Sequence, residues 1–287
     1  MLNTNFINKK KFLVLNPNGD IAIQQSKLFL ISISLLSIIM IPVIILSLFF
    51  AWKYRYNSNS EYKPNWNKSI KLELIIWGVP LIMILILGTL SWKNTHKLDP
   101  YKKLSRIDKN HFISNHIKYL KINVIALDWK WLFIYPKQKI ASVNKLVIPI
   151  NKPIEFKITS LSNMNSFFIP TLAGQIYAMP NMQTKLHAVI NKISNSEGFS
   201  SNYSGEGFSD MRFKFKGVNK EKFKNWINNI KKNNKNSNLN LNSYKKLIKK
   251  SIKEPIHYYS KIDKNIFPLT LKGKINNINN IKTFKKK

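Results

Sequence analysis

The chain has 287 residues, 47 Lys+Arg against 13 Asp+Glu, a formal net charge of +34 and no cysteine. Disulfides, thiolate metal sites, cysteine nucleophiles and lipidated cysteines are therefore excluded within these residues. The basic excess would ordinarily point to nucleic acid, but Arg55, Arg106 and Arg212 are the only arginines, and lysine rises together with Asn and Ile, as in KKNNKNSNLNLN (231–242). That is composition drift at permissive surface positions. A nucleic-acid reader concentrates arginine, whose planar fork pairs with bases and phosphates, so no nucleic-acid partner is expected.

The first predicted element follows an N-terminal tail, 1–27. LFLISISLLSIIMIPVIILSLFF (28–50) carries no charge and exceeds the roughly 20 apolar residues that cross a bilayer. Its position and length do not fit a cleaved signal peptide. LELIIWGVPLIMILILGTLSW (72–92) is a second span, with Trp77 and Trp92 placed as interface anchors. Pro42 and Pro80 inside the spans are tolerated in membrane helices. Residues 28–92 thus read as a helical hairpin, which puts the tail and everything after residue 92 on one side of the membrane. The linker 51–69 carries Lys53, Arg55, Lys63 and Lys68 against Glu61, so it can be cytoplasmic. Lys9 to Lys11, Lys102 and Lys103 flank the spans on the other side, and charge by itself orients the hairpin only weakly.

After a linker, 93–116, the period changes. IKYLKINVIAL, NKLVIPI, PIEFKITSL and TKLHAVI are short apolar or alternating segments punctuated by Pro, Gly and Asn. They predict an all-β sandwich or Greek-key barrel over 117–218. A C-terminal helical extension and basic tail follow over 219–287, with surface helices expected at 221–232 and 244–254 and a frayed end.

The residues that could carry chemistry are few. Met179 and Met182 read as core filling. His187, alone on a predicted strand, reads as a hydrogen-bonded structural histidine, and His96, His111, His116 and His257 show no ligand-like pairing. GEGFSD is not a dinucleotide-phosphate loop, because Asp210 stands where that fingerprint requires glycine and a strand follows.

ALDWKWLFIYP (126–136), NMNSFFIPTLAGQIYAMPNMQTKLH (163–187) and NYSGEGFSDMRFK (202–214) resemble subunit II of the heme-copper terminal oxidases, in their cytochrome bo-type, ubiquinol-oxidising branch. The resemblance extends through FAWKYR (50–55), PNWN (64–67) and 72–96, and runs from VLNPNGDIAIQQ (14–25) to about residue 268. It implies a membrane α-helical hairpin plus an all-β, cupredoxin-like Greek-key domain in the periplasm of a bacterium, anchored in the inner membrane. It also implies a non-catalytic role in a complex that oxidises ubiquinol, reduces oxygen to water and pumps protons, with hemes and copper in subunit 1. Subunit 1, the other subunits and membrane lipid would be the partners.

Copper-bearing members of that family carry Cys-x-x-x-Cys-x-x-x-His-x-x-Met in this loop, together with an earlier His. Laid on this chain, the pattern falls on Tyr203, Gly207, Met211 and Lys214, with the earlier His at Asn165 and Gly205 in place of a backbone-ligating Glu. A dinuclear copper centre needs soft bridging thiolates and imidazoles. None remain, and Lys214 adds a cation, so no metal or other cofactor is expected in this chain. Trp129 and Trp131 occupy positions where an aromatic cluster takes up electrons in copper-bearing members; without copper they are expected to serve packing. Glu73, at the start of the second span, has two readings: an interfacial pair with Lys71, or, as the resemblance implies, the mouth of a proton path into subunit 1. The competing reading of the whole chain is an autonomous, membrane-anchored, cupredoxin-like ligand binder without metal.

Overall fold

The computed structural model describes residues 13–56, 68–108, 110–113 and 117–274. The first part of the N-terminal tail, most of the predicted cytoplasmic linker, His116 and the basic tail beyond 274 lie outside the described residues.

Two long helices come first, α1 (Asp20–Lys53) and α2 (Ile70–Lys97). Both are apolar all round, with nearly every large side chain exposed, and both are long enough to cross a membrane. A helix without a polar face has no water-facing side, which is how a span differs from an amphipathic helix on a soluble core. Helix α1 starts eight residues before the predicted span. Asp20 stands in its first turn, favourable at the positive end of the helix dipole, and the polar stretch Gln24–Ser26 continues the helix below the apolar run. Ser37 and Ser47 turn their hydroxyls back onto the carbonyls of Ile33 and Val43, both at 2.8 Å, so neither needs water.

The β-unit is built on two sheets. One runs in the order β12 (Tyr258–Tyr259), β3 (Ile140–Val143), β2 (Lys130–Tyr135), β1 (Leu120–Leu127), β5 (Ile154–Ser160) and β8 (Thr184–Ala188). The other is β4 (Lys145–Pro149), β10 (Arg212–Val218), β9 (Ser194–Ser200), β6 (Asn165–Ile169) and β7 (Ala173–Ala178). Pairing is antiparallel except β1 with β5 and β4 with β10, and the chain crosses between sheets several times. The first crossing is at Asn144, between β3 and β4, in the left-handed region at φ 53° that Asn tolerates better than most residues. Trp131, Phe133, Phe156, Phe167 and Phe213 fill the space between the sheets. Phe167 and Phe213 stack at 5.5 Å, and Trp131 meets both edge-on at 5.3 and 5.8 Å. Tyr135 spans the two layers, its hydroxyl donating to the Val147 carbonyl at 2.9 Å and accepting from the Val147 N–H at 3.0 Å. Burial pushes its phenol pKa above the usual value.

The C-terminal extension is more than a set of surface helices. After α3 (Lys220–Asn233), the elements β11 (Asn238–Leu239), α4 (Leu241–Leu247), β13 (Lys261–Ile262) and α5 (Ile266–Leu271) build a second core on the outer face of the first sheet. Leu239, Tyr244, Leu247, Ile266 and Phe267 pack on Ile125, Leu127, Leu132, Ile134, Ala141 and Val143. This explains why β1 and β2 read as nearly continuous apolar runs: both of their faces are covered. The helix expected over 244–254 ends at Leu247. Pro255 disfavours a helical residue before it, and the backbone and side chains of 249–254 are engaged elsewhere, as described below. Helix α4 is set by a capping box between Asn240 and Ser243.

The segments flanking the two long helices are fastened to the β-unit. The N–H groups of Asn18 and Gly19 donate to the Thr171 carbonyl at 2.8 and 3.0 Å, and Asn191 N–H returns to the Asn18 carbonyl. A Cβ on Gly19 would lie 2.4 Å from the Leu172 carbonyl oxygen, so only glycine permits this approach. Arg106 donates to the buried Asp20 carboxylate at 3.0 Å. On the other side, His187 N–H donates to the Pro100 carbonyl, its ring nitrogen lies 3.2 Å from the same oxygen, and Tyr119 packs edge-on to the ring. Asn191 holds the Ile107 carbonyl at 2.7 Å. The stretch predicted as a linker is thus partly the end of α2 and partly strapped to the sandwich.

Candidate functional site

Strands β6, β9 and β10 are neighbours, and this places Asn165, Ser200 and Met211 together. Ser200 is the hub. Its hydroxyl donates to Asn165 Oδ1 at 3.3 Å, and its N–H donates to the Met211 carbonyl at 3.2 Å. Trp131 Nε1 lies 3.4 Å from the same carbonyl. Asn165 and Met211 are both 1% exposed. Where a copper pair would need thiolates and imidazoles, the interior therefore offers an amide, a hydroxyl and a thioether, already bonded or packed. The residues do not fit a dinuclear copper centre. Among the described residues, no three His, Cys, Asp or Glu side chains converge.

Two of the sequence-predicted positions stand apart from this cluster. Tyr203 is 76% exposed and touches Phe208 edge-on at 5.7 Å. Lys214 points outward from β10, in register with Glu197 and Lys145. The two glycines have a different partner, Trp129. Its indole lies on the loop, with Nε1 donating to the Ser204 carbonyl at 3.2 Å. A Cβ at Gly207 would sit 2.5 Å from Trp129 Cδ2, and Gly205 holds φ +112° with Trp129 Cζ2 3.2 Å from its ideal Cβ position. The space above the loop is thus occupied by the tryptophan. Gly207→Ala is expected to push the ring off the loop and destabilise the chain by about 1–3 kcal/mol, as overpacking does. Thermal unfolding followed by tryptophan fluorescence measures it, and an unchanged melting temperature would count against this packing.

Sequence reasoning passed over Lys130. On β2 the parity of the strand sends Trp131, Phe133 and Tyr135 between the sheets and Lys130, Leu132 and Ile134 towards the C-terminal extension. Lys130 is 2% exposed. Its ammonium donates to the Lys249 carbonyl at 2.9 Å, to the Ser251 hydroxyl, and to Glu254 Oε2 at 3.2 Å. His257 Nε2 lies 3.0 Å from the other Glu254 oxygen. Asn144 joins the node from both ends: Oδ1 accepts from Trp131 N–H and Nδ2 donates to the Glu254 carbonyl, each at 2.8 Å. Partial burial works to raise the Glu254 pKa, but the hydrogen bond from Ser251, the charge and hydrogen bond of Lys130, and the His257 contact outweigh it and hold the carboxyl below its ordinary range. Segment 249–254 also reaches the tryptophan, through Ser251 N–H to the Asp128 carbonyl at 3.2 Å and Lys250 Nζ at 5.8 Å from the Trp129 ring. The signal was present in the sequence as one lysine inside the apolar run ALDWKWLFIYP.

Glu73 stands in the first turn of α2, exposed. Lys71 is two residues away, and residues two apart on a helix do not face each other, so the two are poorly placed to pair.

Comparisons with known proteins agree with one another. A family profile described as the COX Aromatic Rich Motif matches residues 234–272, which hold α4, α5 and the tyrosines of β12. Among solved structures, the periplasmic domain of subunit II of cytochrome oxidase from Bradyrhizobium japonicum is similar at 23% identity over 40% of this chain and 94% of that one, with a TM-score of 0.38. The cytochrome bo(3) ubiquinol oxidase subunit 2 of Pseudomonas putida is 44% identical over 89% of this chain and 78% of its own length. That of Buchnera aphidicola subsp. Baizongia pistaciae is 45% identical over 90% and 87%, and the ubiquinol oxidase subunit 2 of Acetobacter aceti 43% over 92% and 83%. The chain belongs to the ubiquinol oxidase subunit 2 family.

Proposed function

We propose that the chain is the metal-free, non-catalytic subunit of a terminal oxidase that takes electrons from ubiquinol, reduces oxygen to water and pumps protons. The observation that carries this reading is a loop with the framework of a metal site, filled by Trp129 and bare of ligands, in a chain whose relatives are named as quinol oxidase subunits. A quinol dissolved in the membrane does not need an electron port in a water-facing domain. Hemes and copper belong to subunit 1, which the β-domain caps. Nothing in the comparisons favours an autonomous ligand binder. Purification in mild detergent, with an absorption spectrum and subunit identification, tests the reading. A heme-bearing complex is expected; a folded chain that purifies alone and colourless would sink it.

The absence of copper is tested on the same preparation. Metal analysis is expected to match the copper content of subunit 1 without a further pair for this chain. An additional two copper ions per chain would contradict it.

The proposed topology is a cytoplasmic linker 51–69 and a periplasmic β-domain in the inner membrane of a bacterium. Support comes from the segments on either side of the helix pair, 18–20 and 100–107, which are both bonded to the β-domain. Large domains translocate largely regardless of their charge. A cysteine introduced at the exposed Asn195 is expected to react with an impermeant thiol reagent in cells with a permeable outer membrane, while Ser58→Cys stays protected. The reverse pattern would reject the orientation.

A further inference from the structure

The second core does not close over the whole outer face of the first sheet. It covers Ile125 and Leu127 of β1 and Leu132 of β2. At the next outward pair, Asn123 of β1 and its cross-strand partner Ile134 of β2, the cover gives way to a half-enclosed cavity of about 600 Å³. Pro136 and Lys139, in the turn after β2, wall it on one side, and the 261–264 segment with Phe267 of α5 walls it on the other. Small-molecule sites in proteins are generally clefts of roughly 300–1,000 Å³.

The lining is divided by chemistry. Ile134, Pro136, Ile262 and Phe267 make the walls apolar, and water finds few hydrogen-bond partners on such walls. The charged groups are mainly positive. Lys139, Lys261 and Lys264 are exposed, and none forms a salt bridge among the described residues. Asp263 is the acidic group of the lining, and its Oδ1 accepts the Asn265 N–H at 2.9 Å. Three lysines against one aspartate leave the rim at +2. Exposed lysines are common in this chain, and one by itself means nothing. Three around one apolar opening, contributed by two separate segments, set the sign of what enters it.

We propose that this cavity binds a single-chain amphiphile with an anionic head, a long-chain carboxylate or a lysophosphate, its tail on Ile134, Ile262 and Phe267 and its head among Lys139, Lys261 and Lys264. Such a site is independent of the oxidase reading, because it uses only the C-terminal extension and the sheet beneath it. Burying the tail against the apolar walls supplies the affinity. The lysines orient the ligand: their stems can lie along the walls while the ammonium groups meet the head. An uncharged lipid would leave those ammonium groups without a partner. Residues 275–287 are a poor occupant, since they carry Lys282, Lys285, Lys286 and Lys287 and no acidic residue. A second copy is also disfavoured, because a chain at +34 repels its like.

The test uses the full chain in phosphatidylcholine nanodiscs and a palmitic acid that carries a diazirine in its tail. After irradiation, adducts are expected on the peptides that hold residues 134–139 and 261–267, saturating with probe and displaced by unlabelled palmitate. Palmitate methyl ester, which has the tail without the charge, is expected to displace the probe about tenfold less well. Lys261→Glu with Lys264→Glu is expected to raise the half-saturating probe concentration about tenfold, with thermal unfolding unchanged, as is usual for exposed positions. Lys139→Gly, which suits the left-handed φ of 58° at that position, is expected to give a smaller shift in the same direction and decides the matter if the double variant fails to fold. Palmitoyl lysophosphatidic acid as competitor separates the two head groups: stronger displacement than by palmitate assigns the phosphate, weaker displacement the carboxylate. Adducts confined to α1 and α2 would show bilayer partition only and would overturn the proposal. Labelling that does not saturate, an ester as effective as the acid, or displacement by inorganic phosphate alone would overturn it as well.

Discussion

Lys130→Ala is expected to lower the stability of the chain by about 3 kcal/mol. Removing one partner of a buried ion pair generally costs about 3–5 kcal/mol, because the other charge is left without compensation. The lower end applies here: the Glu254 side chain is 19% exposed and keeps its contacts to Ser251 and His257. At roughly 2–4 °C per kcal/mol for a domain of this size, the melting temperature should fall by roughly 6–12 °C. Replacing both partners with apolar groups, Lys130→Met with Glu254→Leu, should cost far less, within about 1 kcal/mol, since no charge is stranded. Thermal unfolding of the full chain in detergent gives both values, and a loss below about 1 kcal/mol for Lys130→Ala would show that the pair is not what fastens segment 249–257. The pH dependence has a definite sign. Glu254 titrates below its ordinary range in the folded chain. Its contribution is therefore fully present above the unfolded carboxylate pKa and is lost as pH falls through the lower, folded value. Glu254→Gln should flatten that acid limb while leaving neutral-pH stability less affected than Lys130→Ala.

Glu73→Gln is expected to slow quinol-driven oxygen consumption about tenfold, roughly 1.4 kcal/mol on the limiting barrier, in a complex that assembles with normal heme content. Under the proposed topology α2 begins on the cytoplasmic side, from which protons for oxygen reduction and pumping are drawn. A carboxylate exposed on the first turn of a membrane helix is expensive facing lipid and is most simply explained by a protein or water path beside it. Glutamine keeps the size and hydrogen bonding and removes only the ionisation. Were Glu73 merely an exposed interfacial charge, its loss would matter by about 0–1 kcal/mol, and wild-type turnover with full heme content would decide for that plainer role.

Much of the architecture could be read directly. Two apolar runs of membrane length, and short β-type segments with turn residues between them, are local properties that survive whatever packs against them. The ligand set of the loop was equally legible, because residue type alone shows that Tyr203, Gly207, Asn165 and Lys214 supply no thiolate or imidazole. The C-terminal extension was read less well. Its amphipathic stripe predicted helices on a surface, and α3 is one, but the 244–254 segment leaves the helix after Leu247 to run past Lys130.

By itself the sequence determined the two long apolar helices, the β-class of the domain and the lack of thiolates in the 202–214 loop, since each depends on run length, period or residue chemistry within a short window. The tertiary structure decided what lies against each face. Periodicity shows that a strand has an apolar side, and the nearly continuous apolar run from Val124 of β1 to the end of β2 shows that both sides are covered, but neither names the cover. Here it is the aromatic core on one side and α4 and α5 on the other. Lys130 meets Glu254 across 124 residues of chain, and Trp129 lies over Gly207 from the turn between β1 and β2. Those contacts arise only once the sheets are paired and the chain returns, because nothing in a local window encodes which distant segment will close over it.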